Sequence, residues 1–304
     1  MRVITSGRPY IDIDAYAGIV AYAELLALYN QRVVAATTSV PNHSIPPSLR
    51  ALPVSLTFGY QPVPEDRFTV IDASDPEYFD HMVNIQKIDE IIDHHPGLEQ
   101  YWQRLLGERA DIEFVGAACT MVYERWASSR MISNMSRSTA TLLAAGILDN
   151  TLNFGAEITT NRDQRAFLDL QAIAGFNDEW AGRYFAECQQ GIVKNLDAAI
   201  KSNTKIIQFK DQPSVYGVGQ IVIWDAQSII SDHLDTIERA VGSIKSPWFM
   251  NVVSIGGGKS YFVCTDPSLQ RWLSDLLGVR FTGNIAPADR LWLRKEIIQE
   301  SLLR

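Results

Sequence analysis

The chain opens on a short apolar run, Arg2-Val3-Ile4-Thr5, that reads as a strand. A polar loop follows, Ser6-Gly7-Arg8-Pro9-Tyr10, and Asp12-Ile13-Asp14 leads into an Ala-rich stretch over residues 15–26. Its small residues suit a helix packed closely on a sheet. Apolar segments at 32–37, 68–71 and 88–92 read as further strands, and the proline-rich stretch 39–66 as irregular connections. Helical periodicity returns near 116–129, 137–152 and 162–175. This alternation predicts an α/β domain, a parallel sheet with helices on its faces.

The second half has a different rhythm. An amphipathic helix is expected at about 181–203, then strands at 206–209 and 216–223 joined by a polar, Pro-containing turn. A helix at 230–245, strands near 249–255 and 261–265, and a helix at 267–277 complete a smaller α+β domain. The expected division is residues 1–190 and 191–304, with the active site in the cleft between the domains.

Length agrees with two domains, since 304 residues exceed what one small core organises. Hydrophobic content of 46% and charged content of 20% are ordinary for a globular protein. No apolar run approaches a membrane span, and no signal-peptide pattern is present. Cys119, Cys188 and Cys264 lie far apart without zinc-type spacing, so they read as reduced core residues of a cytoplasmic protein. A net charge of -8 argues against binding long nucleic acid, but a bound cation can still reverse the local potential for a small phosphorylated ligand.

Candidate chemistry gathers where elements end. The 88–92 strand runs into Asp93-His94-His95, and Pro96-Gly97 stops it. Asp72 ends the 68–71 strand, Asp12 and Asp14 enter a helix, and Asp149 closes a long apolar helical run. In open parallel sheets ligands sit beyond the carboxyl ends of the strands. Carboxylates with imidazole suit manganese or magnesium, and two such ions can activate water and clamp a phosphoryl group. Each residue also has a structural reading: Asp12 and Asp14 as helix caps, Asp72 as a turn residue, Asp149 as a helix terminator, the triplet as a solvated strand end. Their joint placement favours the site. Gly256-Gly257-Gly258-Lys259 lacks the P-loop spacing and reads as a hairpin turn.

These motifs, in this order, resemble the DHH phosphoesterase superfamily, in the branch with the second type of C-terminal domain (DHHA2). That branch includes manganese-dependent (family II) inorganic pyrophosphatases, exopolyphosphatases and prune-like proteins. The resemblance implies two Mn2+ or Mg2+ ions, held by Asp12, Asp14, Asp72, His94 and Asp149, with Asp72 shared between them. It implies that His95 faces phosphate. It also implies that Lys205, Arg294 and Lys295, with Leu293-Arg294-Lys295 matching part of a basic motif, bind substrate.

The sequence departs from that pattern at Arg8, where the family carries a metal-binding histidine. Arginine only donates hydrogen bonds, so it weakens the first metal position or binds phosphate itself. Asp72-Ala73-Ser74 also departs from the family's Asp-His-Asn, and the basic motif is incomplete. The expected activity is hydrolysis of pyrophosphate or short polyphosphate by metal-activated water. The alternatives are a phosphodiesterase for short or cyclic nucleotides and a non-catalytic metal- or phosphate-binding regulator. A homodimer is expected by analogy alone.

Overall fold

A computed structural model describes residues 1–210, 212 and 214–303. The chain divides into two compact units, Met1–Ala181 and Gly182–Arg304.

The first unit contains β1 (Arg2–Thr5), β2 (Tyr10–Ile11), α1 (Ile13–Leu28), β3 (Val33–Thr37), β4 (Val40–Pro41), α2 (Pro47–Arg50), β5 (Thr57–Phe58) and β6 (Arg67–Ile71). It continues with β7 (Ile88–Asp93), α3 (Glu99–Leu106), β8 (Ala110–Ile112), α4 (Ala118–Ser128), α5 (Arg137–Asn150) and α6 (Asn161–Ala174). Six strands form one parallel sheet in the order β5-β3-β1-β6-β7-β8. Its central strands are apolar on both faces, as a parallel sheet covered by helices requires: Val3, Ile4, Val70, Ile71, Ile91 and Ile92 are fully buried. Helix α1 packs against α4 and α5, and its alanines permit that approach.

A buried charge network ties the middle of this sheet. Glu90 accepts from Arg2 at 2.6 Å and from Tyr22 Oη at 2.8 Å, and Arg125 bridges from Glu90 to Asp111. Asp163 caps α6 and accepts from Gly116 N, Thr120 Oγ1 and Thr160, which fastens α6 to the start of α4.

Helix α7 (Trp180–Val193) contains the division between the units. The continuous helix expected at 181–203 is instead two, α7 and α8 (Leu196–Ser202). The reason is Asn195, which takes a non-helical conformation (φ -141°, ψ 51°) and starts the second helix. After α8 come β9 (Thr204–Gln208), β10 (Val215–Ile223), α9 (Ala226–Gly242), β11 (Trp248–Ser254), β12 (Lys259–Val263), α10 (Pro267–Leu277), β13 (Ile285–Ala288) and α11 (Arg294–Leu302). Asp211 and Pro213 of the β9–β10 turn lie outside the described residues.

The five-stranded sheet has the order β13-β12-β11-β10-β9; β10 and β11 are parallel and the other pairs antiparallel. One apolar cluster forms with α8 and α9 and a second with α10 and α11, so the sheet is covered on both faces. Gly256–Lys259 forms the expected β11–β12 hairpin, and Lys259 Nζ pairs with Asp289 at 3.1 Å. Helix α9 begins earlier than expected because the Asp225 side chain caps it through Gln227 N and Ser228 N. Among the described residues, no helix is long and apolar enough to cross a membrane.

Candidate metal centre

Adjacent strands β6 and β7 end side by side, and their last turns present Asp72 and the Asp93-His94-His95 triplet. Asp72 has φ 60°, a left-handed conformation that Asp and Asn tolerate better than most residues. Its backbone N–H still donates to Ile92 O at 2.8 Å, so the turn is anchored to β7. Left-handed non-glycine residues of this kind gather at functional sites.

His94 is half-buried, with its side chain 7% exposed, and it is oriented. Its Nδ1 lies 3.0 Å from Val115 O. A carbonyl only accepts, so Nδ1 carries a proton, and Nε2 is the nitrogen left to offer a lone pair to a cation. That nitrogen faces Asp72 Oδ1 at 3.2 Å and Asp14 Oδ2 at 3.6 Å. Asp72 Oδ1 is buried and has no hydrogen-bond partner. A buried carboxylate oxygen without a hydrogen-bond partner thus faces an imidazole nitrogen, a pair that a bound cation would satisfy.

The surrounding charge strengthens this reading. Burial pushes the Asp72 carboxyl well above the usual carboxylate range, and the charges of Asp14 and Asp12 push it further. Asp12 is raised by burial and by Asp14. Like charges gathered in this way are relieved by a bound cation. The donor set, one imidazole nitrogen among carboxylate oxygens, fits a divalent cation.

His95 stands apart from that pair. Asp72, His94 and His95 offer ligand atoms within 4.8 Å of one another. Yet His95 Nδ1 is 2.8 Å from Asp93 Oδ1, and a carboxylate accepts, so Nδ1 is a donor. The ring is therefore committed at Nδ1, and the hydrogen bond to Asp93 raises its pKa above the usual imidazole range. Burial works to raise Asp93, but the hydrogen bond and charge of His95 outweigh it and hold that carboxyl below the usual range. His95 is exposed, and it lines a cavity of about 860 Å3 together with Arg8, Asp12 and Asp72. The pair resembles an acid–base group and its orienter, with the free edge of His95 available to a ligand.

Asp12 caps α1 by accepting from Ala15 N at 3.0 Å, and it also lines the cavity, so the structural and functional readings meet in one residue. Asp14 is fully buried on the first turn of α1. Its carboxylate accepts from Ala118 N and Cys119 N, both at 2.8 Å, and so caps α4 from another helix. Helix α4 needs that help, because its own N-cap, Ala117, has no side chain to supply. Gly146 makes the approach possible: a Cβ there would fall 2.5 Å from Cys119 Sγ and 3.2 Å from Asp14 Cα.

Asp149 is the penultimate residue of α5 and is half-buried. Its neighbour Asn150 reaches Asp14 from the same turn. Asn150 Nδ2 donates to Asp14 Oδ2 and lies 3.5 Å from His94 Nε2. Arg8 Nη2 donates to Glu77 O at 2.6 Å, which places the guanidinium against the 76–78 turn at the cavity wall.

In the second unit, Lys205 is exposed on edge strand β9 and Lys295 is exposed on the first turn of α11. Arg294 Nη1 donates to the carbonyls of Asn203 and Val218, so its guanidinium also ties α11 to the end of α8 and to β10.

Sequence reasoning missed Asp93 as orienter, Val115 O as the group that fixes the His94 tautomer, and Asn150. It also missed Tyr10, Tyr78 and Tyr101, which line the cavity and are 55%, 58% and 42% exposed.

Residues 2–147, most of the first unit, match the N-terminal domain of the DHH family. Two solved structures share the fold. One is a candidate family II inorganic pyrophosphatase from Methanococcus jannaschii, 17% identical, with a TM-score of 0.62, covering 99% of this chain and 98% of the other. The other is an exopolyphosphatase-related protein from Bacteroides fragilis, 13% identical, with a TM-score of 0.54, covering 99% of this chain and 90% of the other. No curated protein matches the chain.

Proposed function

We propose that this chain is a divalent-metal-dependent phosphohydrolase acting on phosphoanhydride bonds, with inorganic pyrophosphate or short polyphosphate as substrate. The observation that carries the reading is the buried, unpartnered Asp72 Oδ1 facing His94 Nε2 at 3.2 Å. The family match of the first unit and the names borne by the two structural neighbours agree with it. In this reading the second unit is of the DHHA2 type.

Asp72 and His94 would hold the cation, with Asp12 and Asp14 supplying further negative charge around it. Such an ion neutralises phosphoryl oxygens and makes water more acidic. Manganese is preferred to magnesium because one of the donors is an imidazole nitrogen. His95, oriented by Asp93, donates a proton toward the leaving phosphoryl oxygen. Arg8 donates to substrate oxygens from the cavity wall, for which a guanidinium fork is well shaped. Lys205, Arg294 and Lys295 are proposed as further phosphate-binding cations.

A second reading, hydrolysis of short or cyclic nucleotides, is favoured by one observation. The cavity beside Asp72 and His95 measures about 860 Å3, and three exposed tyrosines line it. Two phosphoryl groups fill only a fraction of that space, whereas a nucleobase can stack on a tyrosine ring.

The test is orthophosphate release from pyrophosphate and tripolyphosphate, and chromatographic detection of nucleotide products from diadenylates and dinucleotides, with manganese or with chelator. Manganese-dependent release from the two inorganic substrates supports the first reading, and turnover confined to the nucleotides selects the second. Absence of turnover throughout, or full activity in chelator, rejects the proposal.

A further inference from the structure

The peptide unit between Val115 and Gly116 is gripped on both edges. Its carbonyl oxygen lies 3.0 Å from His94 Nδ1, and its N–H donates to Asp163 Oδ2 at 3.0 Å. Both groups belong to one planar amide, so neither contact can turn without disturbing the other. A carboxylate on the N–H edge also polarises the amide and makes its carbonyl a better acceptor. Asp163, the peptide and His94 thus form one hydrogen-bonded chain, and it ends at the Nε2 that faces Asp72.

Asp163 is built into this place. It is fully buried and accepts from Gly116 N, Thr120 Oγ1, and the N–H and hydroxyl of Thr160. The capping box of α6 accounts for the Thr160 contacts. It does not account for Gly116 and Thr120, which belong to the loop after β8 and to the first turn of α4. Gly116 leaves the room that the carboxylate needs. A Cβ there would fall 2.7 Å from Asp163 Oδ2 and 2.6 Å from Thr151 Cγ2, against the end of α5. Metal-bound histidines commonly pass their second ring N–H to a carboxylate, which fixes the ring and strengthens it as a ligand. Here the carboxylate stands one peptide further out.

We propose that Asp163 is a positioning residue of the cation site. It acts on His94 through the 115–116 peptide, holding the carbonyl in place and strengthening the bond that aims Nε2 at the cation. The inference rests on the reading of this site as a cation site, and its test separates the two.

The experiment follows binding of cobalt(II) chloride to the full, metal-stripped chain by proton NMR, with free cobalt set by a chelator buffer and melting temperatures recorded alongside. The Nδ1–H proton of a histidine bound to cobalt(II) is shifted far outside the ordinary range, and the His94 signal is the one lost in His94→Gln. Asp163→Asn keeps the contacts and removes the charge: its amide oxygen can serve Gly116 N and Thr160 N while its NH2 faces Thr120 Oγ1. The free cobalt that develops half of the His94 signal should rise about tenfold or more, the usual effect of losing a carboxylate behind a ligand. The signal should also move and exchange faster with D2O. Thr160→Ala weakens the same helix cap and leaves the Gly116 contact, so its Tm should fall with the cobalt requirement unchanged. If metal-free Asp163→Asn does not fold, it and the wild type are refolded in cobalt and passed through a desalting column. The variant should then lose cobalt that the wild type keeps.

An unchanged cobalt requirement in Asp163→Asn, or equal retention after desalting, would overturn the inference. So would a rise in the cobalt requirement of Thr160→Ala in step with its fall in Tm, because affinity would then follow the stability of α6 alone. Those results leave the cation site itself standing. A wild type that shows no His94-dependent shifted signal with cobalt would remove both.

Discussion

His95 Nδ1 lies 2.8 Å from Asp93 Oδ1, and the same oxygen accepts from the backbone N–H of His94 and of His95. One carboxylate oxygen therefore fixes the turn that ends β7 and the tautomer of the exposed histidine. Asp93→Asn keeps an acceptor of the same shape but loses the charge that holds the imidazole protonated and aligned. We expect kcat for the best substrate to fall by roughly 10²-fold or more, the usual contribution of a positioned acid or base. The circular dichroism spectrum and manganese affinity should stay near wild type. An unchanged kcat would remove His95 from proton transfer.

Asp72 is held where burial and three neighbouring carboxylates, Asp12, Asp14 and Asp93, oppose its charge. Asp72→Asn removes the repulsion and retains a residue type that accepts φ 60°. The metal-free variant should melt a few degrees above the metal-free wild type and show no rise with manganese. A fall in Tm without metal would show that Asp72 stabilises the fold and is not held under strain for a ligand.

Gly146 gives a packing test. In Gly146→Ala the new methyl meets Cys119 Sγ, a thiol that is fully buried. The expected cost is about 1–3 kcal/mol, typical of overpacking, read by urea denaturation. Cys119→Ala in the same chain removes the sulfur and should recover part of the loss. If the double variant is as unstable as the sum of the two single ones, the contact is not the cause.

Asp66 gives a test by pH, away from the metal centre. It is buried and accepts from Tyr60 Oη at 2.8 Å and Val63 N at 2.9 Å. Burial raises its pKa, but these bonds are among the contributions that outweigh it, and the folded value lies below the usual one. A depressed folded pKa contributes stability above the unfolded value of about 3.9, and that contribution is lost as pH falls through the folded value. Asp66→Asn should therefore cost about 1–3 kcal/mol at pH 7, and the gap from wild type should narrow below about pH 4. A gap that is constant with pH would rule out the charge as its origin.

The strands that carry the site were legible because each is a compact apolar run stopped by a polar group. Asp72 and the Asp93-His94-His95 triplet stand at the carboxyl ends of neighbouring strands, where the alternating pattern put them. The end of α5 was not legible. Successive helical residues point about 100° apart, and only the buried face of a helix reveals its phase. Residues 142–148 of α5 are buried all round, so the pattern is silent about which side chains after Leu148 turn toward Asp14. A carboxylate attracts attention as a ligand and an amide does not, yet the Asn150 amide is in contact with Asp14.

Two further features lay outside what a linear pattern carries. Asp14 caps α4, a helix that begins more than a hundred residues later in the chain. Such a remote cap has no local spacing to betray it, and only the missing cap at Ala117 hints at one. Segment 99–106 reads as polar, yet Trp102 is buried there, its Nε1 donates to Ser74 O, and α3 forms around it.

The account rests on a divalent cation between Asp72 and His94. Crystals of the full chain grown with manganese and measured above and below its absorption edge test this most directly. The account predicts an anomalous peak bonded to Asp72 Oδ1 and His94 Nε2, with His95 Nδ1 still on Asp93. A peak ligated by His95 Nδ1, or no peak at the carboxyl ends of β6 and β7, would contradict it.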